Sequence, residues 1–166
     1  MGQGREGAIE VRPLYEDEDF AALDPTGERT LATSRRVAAA PAAVFDALRD
    51  PQRLARWWGP AGFRNHFEVC EFRPGGRWLH TMEGPDGTRY PNQATFEATD
   101  PTRVVVRHLD PAFRLTVTLV EDAGGTRVGW RQTFDDPQVC RRLSPVCTPS
   151  NEQNLDRLEA ELARGA

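Results

Sequence analysis

Apolar and polar residues alternate along most of the stretch 77–134, and this pattern predicts five consecutive β-strands. The predicted strands are Arg77–Met82, Arg89–Ala98, Arg103–Leu109, Phe113–Val120 and Thr126–Phe134. The segments between them contain the sequences GPDG, DP, DP and GG, which favour tight reversals of the chain. Because connections this short force neighbouring strands to run antiparallel, the pattern predicts an antiparallel meander.

The residues before the meander predict a strand, two small helices and a second strand. Thr30–Ala39 has the composition of a strand, and Pro41 then begins a helix with one apolar face. A second short helix is expected at Pro51–Trp57, where the following Gly-Pro ends it. Asn65–Phe72 is predicted as the strand that leads into the meander.

After the meander, the sequence predicts two helices with a break between them. Asp135-Asp136-Pro137 begins a short helix that Pro145 ends, and Thr148-Pro149 begins the final helix. The apolar stripe of that final helix consists of Leu155, Leu158 and Leu162. Burying this stripe requires a sheet. We therefore predict an α+β fold in which a curved seven-stranded antiparallel sheet wraps around a long C-terminal helix, with two small helices after the first strand.

Composition and charge narrow the class of protein. The chain has 166 residues, 39% of them hydrophobic, which suits one domain with a real core. A net charge of −4 and a pI near 5.4 argue against nucleic-acid binding. No apolar run is long enough to span a membrane, and the N-terminus lacks the apolar core of a signal peptide. An odd number of cysteines, three, then indicates reduced thiols in a cytoplasm.

The chain is expected to divide into an extension, residues 1–29, and a domain, residues 30–166. The extension is polar and acidic, with Glu16-Asp17-Glu18-Asp19 at its centre, and such a segment packs weakly if at all. Nothing in the sequence specifies the oligomeric state, and a homodimer is compatible with it.

Motifs of catalysis and metal binding are mostly missing from the sequence. Neither G-x-S-x-G nor H-E-x-x-H occurs, and no glycine-rich phosphate loop precedes a helix. Gly75-Gly76 lies between two predicted strands and is therefore interpreted as a turn. The three histidines lie on three different predicted strands, without the spacing of a metal site. We predict neither a metal nor a cofactor.

Six blocks of sequence combine aromatic, glycine and proline residues in a recognisable order. They are RVxxAPxxVF from Arg36, WWGPxGF from Trp57, RPGGxW from Arg73, MxGPDG from Met82, TRVxW from Thr126 and NxQNLDxL from Asn151. In these blocks the chain resembles the START-like superfamily (SRPBCC), and within it the branch named after activators of the heat-shock protein ninety ATPase. The resemblance covers Leu31 to Ala163 and implies a helix-grip fold with a cavity between sheet and terminal helix, as in standalone bacterial domains of this branch. It is not specific for a reaction.

Strand alternation predicts which side chains share the inner face of the sheet. Its apolar members include Trp78, Met82, Phe96, Leu115, Val117 and Trp130. Four polar side chains lie among them, namely His80, Asn92, His108 and Gln132. These four either bond one another or water inside a core, or orient a ligand; the two histidines are also candidates for proton transfer.

The inner face of the predicted strand Asn65–Phe72 stays open at this point. Alternation allows two sets of inward side chains, and the apolar residues do not separate them. One set is Phe67, Val69 and Glu71, and the other is His66, Glu68, Cys70 and Phe72.

We predict that the cavity binds a small hydrophobic or amphipathic molecule. Candidate contacts from outside the sheet are Trp58, Phe63, Asn154 and Leu158. Of the adjacent Trp57 and Trp58 rings, one is expected to lie in the core and the other at the mouth of the cavity. One alternative is an enzyme of cyclase or dehydratase type, in which a cavity histidine moves protons beside a carboxylate such as Glu71. The other is a co-chaperone or protein-interaction domain, which needs an exposed apolar patch.

Overall fold

The turns of the meander adopt the conformations that their residues favour. In the computed structural model, which describes residues 23–165, Gly87 and Gly124 have left-handed φ angles of 85° and 83°. Asp100 closes another turn, because its Oδ1 accepts hydrogen bonds from the backbone N–H groups of Thr102 and Arg103, both at 3.1 Å. With these tight reversals, each strand of the meander pairs antiparallel with the next.

The described residues form seven strands and three helices, and all but the single C-terminal helix follow the predicted order. The elements are β1 (Thr30–Val37), α1 (Pro41–Arg49), α2 (Pro51–Trp57), β2 (Arg64–Cys70), β3 (Arg77–Glu83), β4 (Arg89–Asp100), β5 (Arg103–His108), β6 (Phe113–Asp122), β7 (Gly125–Phe134) and α3 (Pro137–Arg164). One sheet has the strand order β1-β7-β6-β5-β4-β3-β2, so that the first two strands lie at opposite edges. The predicted helix-grip fold is confirmed: a curved antiparallel sheet, a long C-terminal helix and two small helices after β1.

A bulge in β2 explains why alternation left two inward sets open. Phe67 pairs with His80, but the register then shifts by one residue, so that Cys70 pairs with Trp78. Phe67, Cys70 and Phe72 therefore all pack on the core, although the first belongs to one alternating set and the other two to the second. The extra residue of a bulge changes the face on which the following side chains lie.

The predicted break between two C-terminal helices is wrong, because α3 runs without interruption through Pro145 and Pro149. A proline inside a helix lacks the N–H that would bond the carbonyl four residues earlier. For Pro145 that carbonyl belongs to Arg141, and the Ser144 hydroxyl donates to it at 3.2 Å. The continuous helix lays one long face against the sheet and the smaller helices, with contacts to β1, β7, α1 and α2.

The core lies between the concave face of the sheet and the helices. Trp57 fills its centre, and the indole Nε1–H donates to the Ala47 carbonyl oxygen at 2.9 Å. A buried ion pair joins α2 to α3: Glu161 accepts from Arg53 Nε at 2.9 Å and from Arg56 Nη2 at 2.7 Å. These contacts hold the loop after α2 against the helix that crosses the sheet.

The predicted extension lies mostly outside the described residues, which begin at Leu23. Its described end forms a turn, in which the buried Asp24 side chain accepts from the backbone N–H of Arg29 at 3.0 Å and from the Thr30 hydroxyl at 2.6 Å. The Arg29 guanidinium donates to the Phe134 carbonyl oxygen at 2.8 Å, which ties this turn to the end of β7. None of the helices in residues 23–165 has the length and apolarity to cross a bilayer.

Candidate ligand-binding cavity

A cavity of about 420 Å³ lies between the concave face of the sheet, the loop after α2 and the middle of α3. Most of the residues proposed as ligand contacts line it. The apolar ones are Trp58, Phe63, Trp78, Met82, Leu115 and Trp130. The polar ones are His80, Asn92, His108, Gln132 and Asn154. Its volume falls within the range of small-molecule sites, roughly 300 to 1,000 Å³.

Three of the proposed contacts lie in the core and do not line this cavity. Phe96 and Val117 line a much smaller void of about 10 Å³ behind Trp78 and Trp58. Leu158 is fully buried and belongs to the hydrophobic core. Inward orientation on a strand or helix therefore does not by itself bring a side chain to the cavity, because the core and the cavity share the same faces.

Tryptophan side chains form the closed end of the cavity. The Trp58 ring lies 5.0 Å from that of Trp78 and 5.7 Å from that of Trp130, measured between centroids. His80 stacks on Trp78 with centroids 4.5 Å apart and ring planes 20° from parallel. Trp57, which precedes Trp58 in the sequence, lies in the core, as expected for one ring of the Trp57-Trp58 pair. These rings offer flat apolar surfaces to anything that enters.

The opposite end opens to solvent. Tyr90 and Val146 line the cavity and are nevertheless 47% and 65% exposed, so they mark its mouth. The Phe63 ring lies 5.9 Å from the Tyr90 ring and continues this apolar rim. A small molecule therefore has an entry path that does not require the sheet to open.

His108 and Asn92 lie within hydrogen-bond distance of each other. His108 Nε2 lies 2.7 Å from Asn92 Oδ1 and Nδ1 lies 2.8 Å from the Pro111 carbonyl oxygen, so a neutral ring donates to one of these two acceptors. Asn92 also donates to the Tyr90 carbonyl oxygen at 2.8 Å. Burial lowers the pKa of His108, and the Pro111 carbonyl and the charge of Asp110 offset this in part. Protein atoms thus lie within hydrogen-bond distance of both ring nitrogens of His108.

Gln132 also has protein partners. Its Oε1 accepts from the Asn151 side chain of α3 at 3.1 Å, and the Cys147 thiol bonds to the same amide. Burial raises the pKa of Cys147, and the bond to Gln132 offsets this in part. Asn154 donates to the Trp57 carbonyl oxygen at 3.0 Å. These bonds join the wall of α3 to the sheet and to the end of α2.

His80 differs from the other polar residues because neither of its ring nitrogens has a hydrogen-bond partner. It is only 3% exposed, and burial, helped by repulsion from His108, lowers its pKa to about 4. The indole Nε1 atoms of Trp78 and Trp130 are likewise buried and unpaired. Each of these nitrogen atoms has essentially no accessible surface, so it faces packed protein atoms and not the open space of the cavity.

Two sets of lining or supporting residues escaped the sequence analysis. Val146, Cys147 and Ser150 were missed because that segment was interpreted as a break, although polar and apolar residues at 140, 147, 151, 154 and 158 keep a helical spacing through it. Arg157 was missed as well. Its guanidinium donates to the carbonyl oxygens of residues 56, 58, 59, 60 and 63 at 2.7–3.1 Å. It holds the loop that carries Trp58 and Phe63.

The family to which the chain belongs follows from a direct comparison. The family model described as "Activator of Hsp90 ATPase homolog 1-like protein" matches residues 38–163. The chain belongs to this family.

Solved structures agree on the fold of this family member. A protein from Nitrosomonas europaea is 24% identical with a TM-score of 0.75, and the match covers 82% of this chain and 96% of that one. A protein from Mycobacterium smegmatis is 25% identical with a TM-score of 0.73, and the match covers 82% of this chain and 92% of that one. An AHSA1 protein from Silicibacter pomeroyi is 24% identical with a TM-score of 0.65, and the match covers 81% of this chain and 98% of that one. A comparison with curated proteins finds no match.

Membership of the Activator of Hsp90 ATPase homolog 1-like family does not assign chemistry to the cavity, so the residues must. The described residues contain no group of three or more His, Cys, Asp or Glu side chains that could hold a metal. Glu71, the carboxylate considered as a partner for a histidine, instead accepts from the Arg77 backbone N–H at 2.9 Å and does not line the cavity. No carboxylate is among the described lining residues, but Asp110, beside the cavity, favours the charged form of His108.

Proposed function

We propose that this protein binds a small hydrophobic or amphipathic molecule in the cavity between the sheet and α3. The observation that carries the proposal is that three tryptophan rings and a few polar side chains line a cavity of about 420 Å³. Apolar walls with a few convergent polar groups are the usual composition of a small-molecule site. The exposed rim at Tyr90 and Val146 supplies an entrance.

Proton transfer in the same cavity is the weaker proposal. A general acid or base works best with a pKa near the operating pH, and the pKa of His80 is about 4. No Asp or Glu lines the described cavity to raise it. The protein-interaction alternative stays a prediction.

Filling the cavity tests the binding proposal. Ser150 of α3 lines the cavity, whereas Thr148 on the same helix is exposed and does not. Tryptophan emission of the wild-type protein should change saturably, with one-to-one stoichiometry, on titration with small aromatic ketones and hydrocarbons. We expect Ser150→Phe to weaken that binding at least tenfold and Thr148→Phe to leave it unchanged. Equal affinities in both variants, or no saturable binding by the wild type, would count against the proposal.

A further inference from the structure

A second pocket lies beside the ligand-binding cavity, between α3 and the edge strand β1. Its volume is about 260 Å³, and it is lined by Thr30–Thr33 of β1 and by residues 148, 151 and 152 of α3. Ala32 and Thr148 are exposed, so this pocket, which we call the β1 pocket, reaches solvent. Asn151 is the one described residue that lines both the β1 pocket and the cavity.

The position of Asn151 on α3 explains why it borders both spaces. Successive residues of an α-helix are rotated by about 100°, so Ser150 and Glu152 lie on opposite flanks of Asn151. Ser150 lines the cavity, and Glu152 lines the β1 pocket. Asn151 lies between them, and its Nδ2 donates to Gln132 Oε1 of the sheet at 3.1 Å. The cavity and the β1 pocket are therefore on either side of this one side chain.

The sheet repeats the arrangement of the helix. Gln132 on β7 pairs with Leu31 of β1 on one side and with Leu115 of β6 on the other. Side chains of directly paired residues lie on the same face of a sheet, so these three form a row across it. Leu31 lines the β1 pocket and Leu115 lines the cavity, with Gln132 between them. The bonded side chains of Gln132 and Asn151 thus connect sheet to helix at the boundary of the two spaces.

From this arrangement we propose that Asn151 sets the length of the molecule that the cavity accepts. The hydrogen-bonded pair Gln132 and Asn151, here called the partition, closes the cavity toward β1. A ligand chain that reaches the partition must turn back toward the mouth at Tyr90 and Val146, where further carbons stay in water. This inference rests on the proposed binding function and identifies a residue that determines its specificity.

Shortening the side chain at position 151 should join the two spaces. The cavity of about 420 Å³ and the β1 pocket of about 260 Å³ would then form one longer site. Leu31 supplies apolar surface beyond the former partition. Each ligand methylene buried there contributes roughly a three- to fourfold gain in affinity. The gain should be confined to ligands long enough to pass residue 151.

A series of 2-alkanones of increasing chain length, from 2-hexanone to 2-tetradecanone, tests this proposal. Dissociation constants are measured at pH 7 from the tryptophan emission of the full-length chain. For the wild type we expect the affinity to rise with each carbon and then to reach a plateau. For Asn151→Ala the plateau should begin about two or more carbons later, with a maximum affinity about tenfold higher.

Two further variants separate the volume of the side chain from other effects. Asn151→Leu keeps the branched shape of asparagine but cannot donate to Gln132, so its plateau should begin at the wild-type length whatever its absolute affinities. Thr148→Ala removes volume from the wall of the β1 pocket and leaves the partition intact, so it should also keep the wild-type plateau. In NMR spectra, the longest ketone should shift the backbone amide signals of Leu31 and Thr33 in Asn151→Ala and leave them unchanged in the wild type.

The outcomes distinguish this inference from the proposed function. A plateau at the same chain length in Asn151→Ala and the wild type would overturn the inference and leave the binding function intact. A shift of equal size in Asn151→Leu or Thr148→Ala would also overturn it, because side-chain volume at the partition would then not be the cause. If no ketone bound the wild type saturably, the proposed function would fail together with the inference.

Discussion

Arg157→Met should loosen the loop that forms one side of the cavity. Residue 157 lies on α3, and its guanidinium donates five hydrogen bonds to the carbonyl oxygens of the segment 56–63. Methionine keeps most of the apolar stem and removes all five donors. The segment contains Trp58 and Phe63, which line the cavity, so its position affects both stability and ligand binding.

The size of the effect is smaller than five separate hydrogen bonds would suggest. The Trp58 carbonyl keeps a bond from the Asn65 side chain at 2.8 Å, and the Pro60 carbonyl keeps one from the Phe63 backbone at 3.2 Å. Arg56 is exposed, and water replaces its partner. Gly59, in contrast, is buried, and Phe63, whose carbonyl also loses its Arg157 donor, is half-buried. One buried carbonyl left unpaired costs about 1–3 kcal/mol, and we expect a total loss of about 2–3 kcal/mol in the free energy of unfolding.

Urea unfolding at pH 7 measures this loss, with Arg142→Met as the control because Arg142 is exposed on the same helix. Arg157→Lys should recover little, since an ammonium group is a compact charge and cannot present the planar fork that reaches all five carbonyls. The affinity of Arg157→Met for a cavity probe should also fall, through the displaced loop. A loss below about 0.5 kcal/mol, equal to that of the control, would refute the argument.

Three further predictions concern buried groups. Glu161→Gln should lower the free energy of unfolding by about 3 kcal/mol at pH 7, because it leaves Arg53 buried without its charged partner. Hydrogen bonds from Arg56 keep the pKa of Glu161 below its ordinary value, so the stability that the ionised Glu161 adds should be lost as the pH falls through its folded pKa. Acid titrations of the variant should lack this dependence. His80 should show no NMR titration between pH 5 and 8, since its pKa is about 4. Because the unfolded chain protonates this histidine at higher pH than the folded protein does, stability should fall from pH 6.5 toward 4, and less steeply in His80→Phe. A His80 titration midpoint above pH 6 would contradict this. Gly59→Ala should destabilise by about 1–2 kcal/mol in thermal unfolding, because Gly59 has a φ of 95° and an added Cβ would lie 2.6 Å from Met82 Cε; unchanged stability would contradict it.

Where side-chain alternation was regular, the sequence was sufficient to predict the sheet. Leu115, Trp130 and Gln132 lie on the concave face as predicted, because a pleated strand gives each residue a fixed side. β2 could not be resolved in this way, since its register shift follows from the pairing with β3 and has no local signature. Strand ends also differ from the predicted ones by one or two residues.

The cavity was harder to predict than the sheet. His80 and His108 look equivalent in the sequence, but His108 has two partners and His80 has none, and only the folded chain brings Asn92 and Pro111 to one of them. Arg157 was not predicted, because its partners are backbone carbonyls, which no residue type specifies. The predicted helix break was wrong because Pro145 is a strong local signal for a helix end, whereas packing of the helix on either side of it decides the outcome.

The two prolines of α3 give one wall of the cavity a mechanical property of its own. Pro145 and Pro149 have no N–H, so the helical hydrogen bonds to the carbonyls of residues 141 and 145 are absent. The Ser144 hydroxyl donates to the first of these carbonyls instead. Val146, Cys147 and Ser150, which line the cavity, thus lie where two backbone N–H donors of the helix are missing. The C-terminal turns, held by Arg157 and Glu161, are cross-linked to α2 and the loop after it. We therefore expect α3 to bend more readily beside the cavity than at its C-terminal end.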